Sequence, residues 1–131
     1  MTLGKLALHV ADIPAWITGT LEADSMDVTN APRPPEKLGS KKELLDRFDV
    51  NVARLRTVVA AFDMAHWSDT WSMKNGDQVV VARPRPVVYR VWCLNHMIHH
   101  RGQLCLYLRL LNVPVPTVYF NTADEPEWTF E

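Results

Sequence analysis

From Val87 to Leu111 the chain carries no proline, and its only glycine there is Gly102. Pro84 and Pro86 stand before this stretch, and Pro114 and Pro116 follow it. A proline inside a helix removes a donor and clashes with the preceding turn, so these residues bound the segment instead of interrupting it. The run predicts one long helix from about 86 to 111. Pro86 suits its first position, and Asn112 suits its end. Three of the five histidines, His96, His99 and His100, lie on it.

Residues four apart stack on one face of a helix, so His96 and His100 point the same way. An i,i+4 histidine pair is a common means of presenting two imidazoles to one metal ion. His96 with His99 is the rival pair, at i,i+3. On a helical wheel Tyr89, Trp92, His96, His100, Gln103 and Tyr107 form a stripe, where a bundle core would place leucine and valine. Polar tips on a buried face need partners, so the stripe predicts a cavity. The competing reading is a solvated polar face. His99 is rotated about 100° from the stripe and is expected at a helix interface or in solvent.

The rest of the chain supplies further helices. Leu3, Leu6, Leu8, Val10, Ile13, Ile17 and Leu21 give residues 2–21 a broad apolar face, with Thr2 as N-cap. Pro14 predicts a kink, or a break near Asp12. His9 lies in this helix between Leu8 and Val10. Residues 24–39 contain Pro32, Pro34 and Pro35 and read as a surface linker. Ser40-Lys41-Lys42-Glu43 is a capping box. It opens a helix over about 41–62, with Leu44, Leu45, Phe48, Val52, Leu55, Val58, Val59 and Phe62 inward and Asp46, Arg47, Asn51, Arg54 and Arg56 toward water. Asn75-Gly76 between extended runs predicts a β-hairpin. His66, just before it, reads as a surface histidine. The aromatic tail with Tyr119, Phe120, Trp128 and Phe130 either packs back or frays.

The 131 residues suffice for one domain, 1–131, with one core. With 14 basic and 15 acidic residues, the net charge of −1 offers no footprint for nucleic acid or an anionic membrane. No apolar run reaches the roughly 18 residues of a membrane span, and the N-terminus lacks a signal-peptide layout. Cys93 and Cys105, twelve residues apart on one helix, are separated by roughly 18 Å and cannot pair. They read as free thiols in a reducing compartment, and the cytoplasm is the expected location. There is no phosphate loop, nucleophile elbow or Cys-x-x-Cys pair.

Leu6-Ala7-Leu8-His9-Val10-Ala11-Asp12-Ile13-Pro14-Ala15-Trp16 and Leu94-Asn95-His96-Met97-Ile98-His99-His100-Arg101-Gly102-Gln103-Leu104 together resemble the DinB family (the DinB/YfiT-like metalloproteins). The shared features are an early histidine between apolar residues and a late His-x-x-x-His-Arg-Gly-Gln run. The resemblance implies metal ligands at His9, His96 and His100 and no ligand role for His99. It implies an all-α fold, a DinB-like helical bundle with three of the family's four long helices and a small hairpin before the last. Family members carry the first histidine on their second helix, so the family's first helix is expected to be absent. The bared groove predicts a homodimer.

Three neutral imidazoles leave a divalent metal its charge and an open position, suited to acidifying a bound water or thiol. Imidazoles accept zinc, nickel, iron and copper alike, with zinc or nickel the first expectation. The resemblance implies a metal-dependent enzyme, in some relatives a thiol-dependent transferase, whose small-molecule partner is a low-molecular-weight thiol. The alternative is a non-catalytic metal-binding or stress-related helical protein acting through dimerisation. Asp12, Asn95 and Gln103 are candidates to orient the ligands, and Trp92 and Tyr107 to line the pocket. Arg101 is expected to pair with a carboxylate or to anchor an acidic substrate. No general acid or base is evident in the sequence beyond a metal-bound water; Tyr89 and Tyr107 are the candidate side chains.

Overall fold

A computed structural model describes residues 1–31, 35 and 39–125, so Trp128 and Phe130 lie outside the described residues. Helix α1 is Leu3–Glu22, strand β1 is Ser25–Asp27 and helix α2 is Lys41–Ala61. A 3-10 turn, Met64–His66, leads into the strands β2, Thr70–Asn75, and β3, Gln78–Pro84. A short helix α3, Arg85–Val88, continues through a π-helical segment, Tyr89–Asn95, into α4, His96–Leu110.

The expectation of an all-α bundle is corrected. The three long helices are joined by a three-stranded mixed sheet, in the order β1-β2-β3, so the fold is mixed α/β. The hairpin β2–β3 turns at Gly76, whose φ of 60° is the left-handed geometry that an Asn-Gly turn requires. The third strand comes from the stretch expected to be only a linker. Ser25, Met26 and Asp27 pair in parallel with Ser72, Met73 and Lys74. Three residues are too few to show a period. The Asp27 carboxylate fastens the strand end, accepting from Thr29 N at 2.9 Å and from Gly76 N at 3.1 Å in the hairpin turn.

Helix α1 is the central element. Leu6, Leu8, Ala11, Ile13, Ile17 and Leu21 are all buried. Ile13 and Ile17 meet Cys93, with Leu55 of α2 and Tyr89 and Met97 of the last helical stretch packed around them. Thr2 caps the helix, accepting from Lys5 N at 3.3 Å. No break occurs near Asp12. The helix runs unbroken through Pro14, whose carbonyl accepts from Thr18 Oγ1 at 2.9 Å. Ser40 caps α2, accepting from Glu43 N at 3.1 Å. None of the residues of α2 or α4 is fully buried. Their apolar stripes are only half covered, with Leu45, Phe48, Val59, Ile98, Leu106 and Leu110 exposed.

The last helix ends where Asn112 adopts φ 57°, with Asn112 N donating to Arg109 O and Val113 N to Leu108 O, both at 2.9 Å. This is the paired closure of a Schellman cap. The tail packs back as far as Glu125. Asp124 meets Arg109 at 2.5 Å and accepts from Val115 N at 3.0 Å. Among the described residues Arg101 meets a phenol in place of the expected carboxylate: it donates to Tyr119 Oη at 3.0 Å with its guanidinium 5.4 Å from that ring's centre.

Buried Arg85 ties α1 to the start of α3. Its Nε donates to His66 O at 3.2 Å. One terminal nitrogen reaches the carbonyls of Thr20 and, at 3.0 Å, Ala23; the other reaches Asp24 at 2.5 Å. Carbonyls at a helix C-terminus have no intrahelical donors, and a buried guanidinium supplies them. Among the described residues no helix is long and apolar enough to cross a membrane.

Candidate metal centre

His9 projects from α1 toward the first two turns of α4. Its Nε2 lies 3.0 Å from His96 Nε2, and its ring centre lies 4.5 Å from that of His100. The rings of His96 and His100 are 4.6 Å apart, as four-residue spacing on one α-helical face dictates. One ligand nitrogen from each of His9, His96 and His100 falls within 4.8 Å of the other two. Among the described residues no carboxylate or thiol joins them.

The outer nitrogens are held from behind. His100 Nδ1 donates to Gln103 Oε1 at 2.8 Å, and His96 Nδ1 donates to the carbonyl of Trp92 at 3.2 Å. In each ring the Nδ1–H tautomer leaves Nε2 as a lone-pair donor, the form that binds a metal, and in His96 that lone pair faces His9 Nε2 at 3.0 Å. The Trp92 carbonyl is in reach because of the π-helical segment. The backbone N–H of His96 donates to Cys93 O, and the imidazole takes up the Trp92 carbonyl. π-Helical turns are uncommon and collect at functional sites.

Burial, then the neighbouring His100 and His96, push the His9 pKa below its ordinary value, against an opposing pull from Asp12. Burial and His100 do the same to His96, against the Trp92 carbonyl. Both imidazoles are therefore biased toward the neutral, ligating form. Zinc–nitrogen bonds of about 2.0–2.1 Å in a tetrahedron separate the nitrogens by roughly 3.3 Å. The observed cluster reaches that geometry with small side-chain adjustments, so the donor set fits a divalent cation.

The other sequence candidates divide. Gln103 accepts from His100 Nδ1. Trp92 contributes its carbonyl as well as its ring, which was not foreseen. His99 is exposed and stacks edge-on against His100 at 4.8 Å, outside the cluster. Asn95 borders the same exposed surface as His99. Tyr107 is 45% exposed, two turns beyond His100. Asp12 is buried but turned to α2: Arg47 grips both its carboxylate oxygens, one through Nε and one at 3.1 Å. Asn51 donates to Ala11 O at 2.9 Å and to Asp12 at 3.5 Å.

Arg47 and Asn51 were expected to face water. Their spacing of four, continued by Arg54 toward Glu22 at 2.8 Å, was a readable sign that this edge of α2 meets α1. Trp16 was also missed as a site residue. Its ring centre lies 5.4 Å from that of His9 and 5.7 Å from that of His96.

Two hollows meet at Trp16. A polar groove of about 330 Å³ runs from His9 between α1 and α2, past Asp12, Arg47, Asn51 and Arg54. An apolar cavity of about 300 Å³ opens on the other side, with His96 in its wall.

A helix-borne histidine triad with supported outer nitrogens and no fourth protein ligand among the described residues defines a candidate metalloprotein centre. The model of the DinB family matches residues 1–129, and the chain belongs to that family. No curated protein and no solved structure matches it.

Proposed function

We propose that the protein is a metal-dependent enzyme, with His9, His96 and His100 as ligands of one divalent ion, zinc or nickel before iron. The observation that carries this is the convergence of three imidazoles without a fourth side-chain donor among the described residues. A purely structural zinc site closes its coordination with four protein ligands, whereas a catalytic one keeps a position open. When bound, the ion supplies Lewis acidity and lowers the pKa of a water or thiol at that position. The protein's own contribution is to fix the ligands through Gln103 and the Trp92 carbonyl and to leave access along two hollows.

We assign the open position to a low-molecular-weight thiol in a group-transfer reaction. The groove beside His9, where Arg47, Asn51 and Arg54 are held by Asp12, Ala11 and Glu22, leaves room for a co-substrate next to the triad. The free thiols Cys93 and Cys105 fit a reducing compartment such as the cytoplasm. The half-covered faces of α2 and α4 support a homodimer, which sedimentation equilibrium tests: a single monomeric species at all concentrations rejects it.

The metal test is elemental analysis and zinc titration of protein purified without a histidine tag. One equivalent is expected in the wild type and a large loss of affinity in His9→Ala, His96→Ala and His100→Ala. Equal zinc binding by wild type and the three variants rejects the reading. Cobalt-loaded protein tests the thiol: adding 2-mercaptoethanol should produce a sulfur-to-cobalt charge-transfer band, and an unchanged spectrum removes the thiol assignment alone.

A further inference from the structure

The apolar cavity is enclosed by the C-terminal half of α1, the sheet and the π-helical segment. Its walls carry the indoles of Trp16, Trp71 and Trp92, the thioethers of Met26 and Met73, and the imidazole of His96. Among the described residues the buried indole nitrogen of Trp71 has no hydrogen-bond partner, and the wall's hydroxyl and thiol are engaged with one another. Thr20 Oγ1 donates to Trp16 O at 3.0 Å and lies 3.5 Å from the buried Cys93 thiol. Among the described residues no arginine, lysine or carboxylate lines it. The arginines of the neighbouring groove are already paired, Arg47 with Asp12 and Arg54 with Glu22.

A volume of about 300 Å³ lies in the range of small-molecule sites, which are mostly apolar with a few polar groups. Water is a poor occupant, because a buried water needs two to four polar partners. An anion would lose its hydration with no cation among the described lining residues to replace it. Indole edges and faces favour another ring, and methionine sulfur adds favourable contacts at a ring edge.

We propose that this cavity binds a neutral aromatic small molecule, or the aromatic part of a larger substrate, with one end of the ring system beside His96. Binding follows from the cavity itself. The role of that end as the reacting part rests on the metal-centre reading above, since His96 belongs to both the cavity wall and the triad.

The test is titration of the full chain with 2-naphthol at neutral pH, in metal-free and zinc-loaded forms, followed by tryptophan fluorescence and calorimetry. Saturable binding of one equivalent is expected in both. Val81→Phe reaches into the cavity from β3. Val28→Phe, at a half-exposed position after β1, narrows it with less demand on folding. Each variant that keeps the wild-type circular dichroism should bind at least about tenfold more weakly, because overfilled pockets reject ligands strongly. The anion 1-naphthoate and the saturated analogue cyclohexanol should also bind more weakly than 2-naphthol.

No saturable binding, undiminished binding in both folded variants, or preference for either analogue overturns the proposal. His100→Ala, outside the cavity lining, should lose zinc and keep 2-naphthol. Failure of the wild type to bind zinc while it binds 2-naphthol therefore counts against the metal centre alone, and failure to bind 2-naphthol while it binds zinc counts against this cavity alone. Placement beside His96 is read from cobalt-loaded protein: 2-naphthol should shift the d–d bands, and an unshifted spectrum at saturation overturns the placement.

Discussion

Gln103 accepts a hydrogen bond from His100 Nδ1 at 2.8 Å, so the residue one turn further along α4 selects which nitrogen His100 turns toward His9 and His96. The late motif is therefore more than a pair of ligands with a spacer. It contains a candidate ligand and the group that sets that imidazole's tautomer. Gln103→Leu keeps the bulk and removes the acceptor. Zinc affinity should fall about 10–100-fold, the usual cost of losing such support, measured by competition with a chromophoric chelator. The melting temperature without metal should change little, because Gln103 is only partly buried. Unchanged affinity would show that the hydrogen bond does not position His100.

Asp12 gives the opposite prediction. It sits three residues from His9, yet both its oxygens face Arg47. Asp12 is 8% exposed, while the Arg47 side chain is 40% exposed, so the pair is half in water and its worth is reduced accordingly. Hydrogen bonds to charged groups contribute about 1.5–3 kcal/mol, and Asp12→Ala should cost about 2 kcal/mol in denaturant unfolding. Zinc affinity should change by less than about tenfold, below the range for a ligand-orienting group. A larger loss of zinc binding than in Gln103→Leu would return Asp12 to the metal centre.

The clustering of His9, His96 and His100 was legible from the four-residue spacing on the last helix together with the family resemblance at the apolar-flanked His9. His96 and His100 lie in a true α-helix, so the wheel applies to them. It applies less well upstream, where Tyr89–Asn95 is π-helical and the angular step changes. Tyr89 consequently packs on the Ile13–Ile17–Cys93 cluster, while Trp92 borders the cavity. Strand β1 was illegible because its signal is pairing with a distant strand. Arg85, between two prolines, carries no pattern, and its burial is a tertiary fact. The stripes of α2 were legible, but which neighbour would receive Arg47 was not.

The surface histidine supplies a pH prediction. His66 Nδ1 meets Asp69 Oδ2 at 2.8 Å, and that carboxylate raises the imidazole pKa above its ordinary value. A raised pKa means that the folded state holds the proton more tightly than the unfolded chain. The resulting stabilisation is fully present below the unfolded value of about 6.5 and is lost as pH rises through the folded pKa. The group is exposed, so the effect on unfolding is small and screened by salt. Proton NMR is the sharper measurement: the His66 midpoint should lie above the ordinary imidazole value of about 6.5, and Asp69→Asn should bring it down. A midpoint insensitive to that substitution would show that the pair does not persist in solution.

Arg85 tests how the scaffold and the metal centre are coupled. Its side chain is 2% exposed, but that of Asp24 is 83% exposed, so the ion pair is largely open to water on one side. The stabilisation therefore resides chiefly in the carbonyls of Thr20, Ala23 and His66, which have Arg85 as a donor. Arg85→Met takes this donor from the Thr20 and Ala23 carbonyls, while His66 O keeps Asp69 N, and should cost about 2–4 kcal/mol, the scale of leaving buried acceptors unsatisfied. Arg85→Lys keeps the charge but loses the planar fork and should also destabilise strongly. His9 and Thr20 are eleven residues apart on α1, about 16.5 Å of helix, beyond the distance at which substitutions usually couple. In whichever Arg85 variant remains folded, zinc should raise the melting temperature by nearly the wild-type increment, because a ligand stabilises through its affinity for the native state. A lost increment in a folded Arg85 variant would show that anchoring the end of α1 is needed to hold His9 against His96 and His100.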